Sequence, residues 1–519
     1  MSKTHAQLEN HDNDRRAIVA DSLIFGIVFA IGLTAFQRII GFLRGILFCK
    51  YMTEEELGSW SLAWSFLMLL APLAVLGLPG TFPRFVEHFR QRGQLKIFFL
   101  RICGFSVAGT MLLVGILSLR PTLFAELLFR NPAQTDLLWM LVISLIFVGA
   151  LNFATSFTEA LRQVRLSTIM RFVSGVSFAL LSLVFIFAWE SSAVAVTASF
   201  AVSCLIGLLP AIWFFARYWN TFEVVSPTVL SHRSMWKKIA PFAMWLWLAN
   251  LATNGYEIVD RYMLLHLLPL SASEAQGIVG QYHSARVVPL LMVSLAAVLS
   301  GILLPYIAAA WEEKRYQDAK VQVSWTLKLT GLLITSFSVI VAMGSSFLFD
   351  TVLDGRYNAG LSVLPMTLTY CVWYSMVLVG QDYLWCRDKG KWVVAAYVVG
   401  LVVNIGLNYF LIPSFGLGGA VWATFLSTLA CLLFLLLSNF VLGLPMSRGI
   451  IFVTAVPLLT MIPPWTAAFV LIIIIWAGIY YRWIFDDQEV KQLNKMLEKG
   501  AGLIKTGTGT VIGNLGKIS

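Results

Sequence analysis

The sequence predicts an all-α polytopic membrane protein with about fourteen transmembrane helices. Three observations predict it. The 519 residues are 58% hydrophobic and only 12% charged, where a soluble domain carries about 25% charged residues. Most of the chain falls into apolar runs of about 20 residues, the length of helix that crosses a bilayer. Lysine and arginine then segregate by loop. Of the 37, this reading assigns 29 to one set of flanks, Lys50, Arg120, Arg130 and Arg356 to the other, and four arginines to the membrane interior.

Residues 1–19 are polar and contain neither a short apolar core nor a small-residue cleavage site, so they read as a retained tail rather than a secretory signal. Spans follow at about 20–48, 57–82, 97–119, 136–160, 166–189, 193–216, 240–267, 276–309, 324–348, 360–385, 392–413, 417–440, 449–463 and 465–484. Pro463-Pro464 divides the last two, which also fit a re-entrant hairpin. By the positive-inside rule the basic flanks are cytoplasmic, which puts both termini inside and requires an even number of spans in the cell membrane. Beyond them, residues 485–500 have helical spacing, with Val490, Leu493 and Leu497 on one side, and read as an interfacial helix.

An internal repeat appears when the chain is shifted on itself by 222–223 residues. Arg38 then falls on Arg261, Gly58-Ser-Trp60 on Gly280-Gln-Tyr282, residues 82–89 on 304–311, and Glu159 on Asp382. The repeat predicts an N-lobe over 20–216 and a C-lobe over 240–440, in parallel orientation. A cytoplasmic linker (217–239) joins them, with two appended helices (449–484) and a tail (485–519). Transporters built from repeats place the substrate between the halves near the midplane.

The net charge of +10 is distributed by membrane side, which argues against nucleic-acid binding. The six cysteines are scattered and mostly in or beside apolar runs, with no metal-ligand spacing, so no metal, cofactor or disulfide framework is expected. No phosphate-binding loop is present, and the outer loops are too short for an enzymatic domain. The chain is not expected to be an enzyme.

The informative residues are the charges within the spans. A guanidinium stays protonated, and at mid-membrane it costs at least about 2.5–3.5 kcal/mol. Arg38, Arg44, Arg261 and Arg286 therefore mark a water-filled pathway for an anion. In the first span Thr34, Gln37, Arg38, Gly41 and Arg44 share one arc, opposite Ile, Leu and Phe. In the seventh, Asn250, Asn254, Glu257 and Arg261 share a face, and Glu257 and Arg261 have the spacing of an intrahelical ion pair. Either Glu257 or Asp260 is a candidate for a coupling proton or Na⁺. In the eighth, Tyr282 and Arg286 are one turn apart, with the titratable His283 between them. Glu159 and Asp382, near the basic ends of spans 4 and 10, suit pairing with nearby loops or a gate.

The run Arg38-Ile-Ile-Gly41-Phe42-Leu-Arg44, the stretch from Lys50 to Trp60, Leu76-Gly-Leu-Pro-Gly-Thr-Phe-Pro-Arg84, and Asp260-Arg261 with Gly277–Tyr282 together resemble a known group. It is the multidrug/oligosaccharidyl-lipid/polysaccharide exporter superfamily, and within it the polysaccharide-repeat (O-antigen type) lipid flippases. The first run is also similar to that of lipid II flippases. The resemblance implies twelve core helices in two lobes forming a V, alternating access, and arginines that hold a lipid pyrophosphate. It carries that role to Arg38, Arg44 and Arg261, with Arg84 as a further candidate, and implies a polyprenyl-tail groove at the last two helices. The expected function is translocation of a polyprenyl-pyrophosphate-linked oligosaccharide for polysaccharide biosynthesis, alongside a glycan polymerase or glycosyltransferases. The alternatives are a multidrug/cation antiporter, which would want more acidic residues, a lipid II flippase, and a glycan polymerase or ligase.

Overall fold

In lipid, every backbone N–H and C=O must find its partner within the segment, so long apolar runs become helices. A computed structural model describes residues 23–219, 231–485 and Glu489, and among them there is no strand. The tail 1–19, residues 220–230 of the linker, and the terminal segment other than 485 and 489 lie outside the described residues. The helices are α1 (Leu23–Tyr51), α2 (Glu54–Ala74), α3 (Phe82–Gln91), α4 (Leu95–Leu119), α5 (Pro121–Phe129), α6 (Thr135–Ala160), α7 (Val164–Ala188) and α8 (Ala193–Tyr218). Then come α9 (His232–Leu267), α10 (Ala272–Glu312), α11 (Tyr316–Ser346), α12 (Asn358–Cys386), α13 (Gly390–Val441), α14 (Arg448–Ala455) and α15 (Pro464–Tyr480).

Among the described residues, ten helices are long and apolar enough to cross a membrane. The difference from fourteen has three physical sources. Helix α9 is 36 residues long, but its polar face keeps it out of the ten. Helix α13 covers two expected spans in 52 residues, broken at Gly416. There φ is 55° and ψ is −128°, a backbone that glycine adopts without a Cβ penalty. Helices α14 and α15, the former continued by a 3₁₀ turn over Val456–Met461, are short.

Local chemistry starts several helices. Thr53 caps α2 by accepting the Glu56 N–H at 3.2 Å, and Glu54, Glu55 and Glu56 fill the first turn, where the helix dipole favours negative charge. Ser192 and Ser447 cap α8 and α14 in the same way. Helix α3 differs from the spans. It buries Phe82, Phe85, Val86 and Phe89 and turns Arg84 and Arg90 outward, the pattern of an amphipathic helix. Its phenylalanines form one aromatic core with Phe98 and Phe157, with Phe89 and Phe98 stacked at 4.5 Å.

The described chain forms two compact units. One holds the residues up to Leu291, Phe347–Val363 and Gly400–Thr424. The other holds Met292–Ser346, Leu364–Val399 and the residues from Phe425 onward. In the second unit, Lys328 of α11 is fully buried and donates to both carboxylate oxygens of Glu489, at 2.7 and 2.9 Å. Lys328 thus belongs with the intramembrane cations rather than with a basic flank. Glu489, from the expected interfacial segment, is 4% exposed. Large apolar side chains elsewhere stay uncovered, among them Leu119, Phe410 and Trp465. That outward greasiness suits acyl chains and would promote association in water.

Candidate substrate and coupling site

In the first unit, α1, α2, α9 and α10 bring three of the four predicted arginines to one place. Arg261 is 4% exposed; its Nη1 donates to the Ser65 hydroxyl of α2 at 2.8 Å and to the Glu257 carbonyl at 3.0 Å. The hydrogen bond to Glu257 is therefore to its main chain, while the Glu257 and Asp260 carboxylates act on Arg261 through their charge. Arg286 is buried, with its guanidinium 5.3 Å from the Tyr282 ring centre, and Arg261 lies 6.0 Å from the same ring. Arg44 is half-buried and stacks on Phe178 at 4.0 Å, and its Nε has no hydrogen-bond partner among the described residues. The charges of Arg44, Arg261 and Arg286 all act on His283. The ring of His283 lies 3.1 Å from the Ser61 hydroxyl. Gly45 lets α1 approach α10 here, since an added Cβ would meet Val287 at 3.0 Å.

Beside the arginines lies a second arrangement, built on Asp260. Its carboxylate is 2% exposed and accepts four side-chain hydrogen bonds. Oδ2 receives the Tyr282 hydroxyl at 2.6 Å and the Thr424 hydroxyl at 2.5 Å. Oδ1 receives the amides of Asn404 at 2.9 Å and Asn408 at 2.8 Å. The Asn408 amide also donates to the Asn404 oxygen at 2.9 Å, and its own oxygen is buried without a partner among the described residues. A buried carboxylate needs such a shell, because an unsolvated charge is costly. The arrangement offers several side-chain oxygens around one negative charge, a donor set that hard monovalent cations or a proton use. Among the described residues, no group of three His, Cys, Asp or Glu side chains could hold a metal.

The other predicted residues differ in their settings. Arg38 is exposed on α1, near the charge of Arg171, which pairs with Glu159 at 2.7 Å. Glu159 thus partners a basic residue at the start of α7. Gln37 packs into the space that the absent side chain of Gly175 leaves. Asn250 and Asn254 donate back to their own helix, to the carbonyls of Leu246 and Asn250, both at 2.9 Å. Tyr282 is fully buried and serves Asp260. Asp382 belongs to the second unit, where it accepts the Ser300 hydroxyl at 2.7 Å. That unit also holds a cavity of about 270 Å³, lined almost wholly by apolar side chains of α13 and α14, among them Leu433, Leu437, Phe440 and Ile451.

Sequence reasoning missed Ser61, Ser65, Asn404, Asn408 and Thr424. Asn404 and Asn408 did leave a trace: two amides one turn apart in an otherwise apolar run. The serines and Thr424 left none, since single hydroxyls are common in membrane helices and usually bond to their own backbone.

Among the described residues, an all-helical chain with buried arginines beside a buried carboxylate fits a multi-pass flippase or transporter of the multidrug/oligosaccharidyl-lipid/polysaccharide exporter superfamily. The chain belongs to the polysaccharide biosynthesis protein family, which it matches over residues 23–311. It is similar to the lipid II flippase MurJ of Bacillus subtilis, with 22% identity over 436 residues that cover 77% of this chain and 79% of the relative. An uncharacterized membrane protein of the same organism, YabM, is 25% identical over 227 residues, 42% of this chain and 41% of the relative. Among solved structures, a lipid II flippase MurJ in an inward closed conformation superposes with a TM-score of 0.66 at 18% identity, covering 88% of this chain and 99% of that one. An inward-facing multidrug resistance MATE family transporter gives 0.63 at 13%, covering 80% and 98%.

Proposed function

We propose that this protein flips a polyprenyl-pyrophosphate-linked oligosaccharide across the cytoplasmic membrane by alternating access, with Arg44, Arg261 and Arg286 gripping the pyrophosphate. The observation that carries the reading is Arg261. It is a buried, permanently charged group whose hydrogen-bond partners are a hydroxyl and a carbonyl. Guanidinium forks match phosphate oxygens bidentately, and such charge-assisted bonds are about twice as strong as neutral ones. Arg38, exposed and next to Arg171, suits capture of the headgroup before it reaches the buried group. The apolar cavity against α14 suits part of a polyprenyl tail.

Asp260 is the coupling group in this reading. Turning the amides of Asn404 and Asn408 presents their oxygens, with Thr424 and Tyr282, to Na⁺ or to a proton on the carboxylate. Outward movement of a net negative headgroup is also favoured by an inside-negative potential, by about 2.3 kcal/mol per charge per 100 mV. The acids beside the arginines, Asp260 and Glu257, do not outnumber them, which disfavours export of cationic drugs.

A lipid II flippase is the second reading, favoured by the likeness to MurJ along most of the chain. Both substrates present a polyprenyl pyrophosphate, so the arginines serve either. Export of surface polysaccharide by a strain that depends on this protein tests the first reading, with Arg261→Ala expected to abolish it while the protein still inserts. Rescue of cells depleted of their own lipid II flippase, without effect on polysaccharide, would move the assignment to the second.

A further inference from the structure

One end of the first unit carries a pattern of contacts that the two sequence repeats share. Helices α2 and α10 cross at Gly58 and Gly280, the glycines that coincide when the repeat is laid on itself. A Cβ on Gly58 would overlap the carbonyl oxygen of Gln276, and a Cβ on Gly280 that of Glu54. The contact is reciprocal, because each glycine seats on the residue four positions before the other. Beside the crossing, the fully buried Gln276 donates to the Phe129 carbonyl at 2.7 Å and accepts from Ser59 at 3.0 Å.

Two arginines repeat the reciprocity. Arg130, from the first repeat, donates to the carbonyls of Leu265 and Leu268 at 2.8 and 3.1 Å, at the end of α9 in the second. Arg356, from the second repeat, donates to the Lys50 carbonyl at 2.7 Å, at the end of α1 in the first. The last carbonyls of a helix lack intrahelical donors and carry the negative end of its dipole, so a guanidinium is a fitting clasp. These arginines lie at nearly the repeat's own spacing. They are also two of only four cationic residues that the charge bias assigns to the outer flanks.

We propose that Arg130 and Arg356 are the paired bolts of an outer gate, each fastening the end of a helix from the other repeat across the Gly58–Gly280 crossing. Opening toward the outside then requires both guanidinium groups to leave their carbonyls and the two glycine contacts to part. The proposal rests on the alternating-access reading, but it assigns the gate to residues that need not touch substrate.

The test uses whole cells and a membrane-impermeant maleimide, with Ser61→Cys as reporter, one turn below Gly58 and 1% exposed. The protein without the reporter supplies the background from the native cysteines. Adding Arg130→Ala and Arg356→Ala together should raise the labelling rate about tenfold, a population shift typical of a broken coupling. Gly58→Leu, which forces the crossing apart, should raise it by at least as much, and Arg130→Lys with Arg356→Lys should restore part of the protection. Unchanged labelling in both the double alanine variant and Gly58→Leu would overturn the proposal. So would an equal rise with Arg120→Ala, an outer-flank arginine outside the interlock. Labelling needs no substrate. Faster labelling in a protein that moves no pyrophosphate lipid would therefore keep the gate and discard the cargo assignment.

Discussion

Arg261 and Lys328 are both buried cations on apolar helices, one in each compact unit, and they are satisfied in opposite ways. Lys328 is closed in a two-pronged pair with Glu489, the charge cancelled on the spot. Arg261 is left with a serine hydroxyl and a backbone carbonyl. The first arrangement holds two segments together. The second has no carboxylate hydrogen-bonded to it among the described residues, although Glu257 and Asp260 act on it through their charge, and so leaves guanidinium N–H groups for an incoming anion. Burial of a charge alone therefore says little about function, and the identity of its partner says more.

The comparison breaks if the two cations respond alike to mutation. The largest effect expected is on stability at Lys328. Lys328→Ala removes the buried cation that donates to both oxygens of Glu489, and breaking such a pair costs about 3–5 kcal/mol. Thermal unfolding in detergent should report it, while Lys328→Met with Glu489→Met should recover most of the loss and retain transport. At Arg261 the order reverses. Arg261→Ala should leave the melting temperature near that of the intact protein and cut transport about 100-fold, the loss of contacts to a charged group worth about 2–3 kcal/mol. A stability loss there comparable to that of Lys328→Ala would make Arg261 a structural residue.

Asp260 sharpens the contrast, because it is a buried anion with four neutral donors. Asp260→Asn should slow transport about tenfold and remove its dependence on Na⁺ or on a pH gradient, whichever the intact protein shows. Retention of that dependence would separate Asp260 from coupling. Thr424→Val removes one donor to Asp260 and should cost about 1 kcal/mol of stability, with a smaller loss of coupled transport than Asp260→Asn.

The sequence displayed the helices clearly, because lipid demands an unbroken apolar run of about 20 residues for each crossing. The expected spans over 392–413 and 417–440 meet at Gly416, where φ of 55° divides α13 into two helical runs. The amphipathic α3 hid among the charges of a loop, although Phe82, Phe85, Val86 and Phe89 have helical spacing. The arginines were legible one by one, and Arg44, Arg261 and Arg286 do converge, while Arg38 stands apart beside Arg171. What single-sequence reading could not supply was partnership. Nothing local tells that Asn404, Asn408 and Thr424 surround Asp260, or that Glu489 reaches Lys328 from 161 positions away. The repeat was the one long-range feature on display, and Gly58 and Gly280, which it aligns, sit against each other's helices.

The most direct measurement is the flux of a radiolabelled polyprenyl-pyrophosphate oligosaccharide across proteoliposomes holding the intact protein, Arg261→Ala, or Lys328→Met with Glu489→Met. Flux is expected through the intact protein and through the paired-methionine variant, and almost none through Arg261→Ala. Equal flux through Arg261→Ala and the intact protein would remove Arg261 from substrate binding.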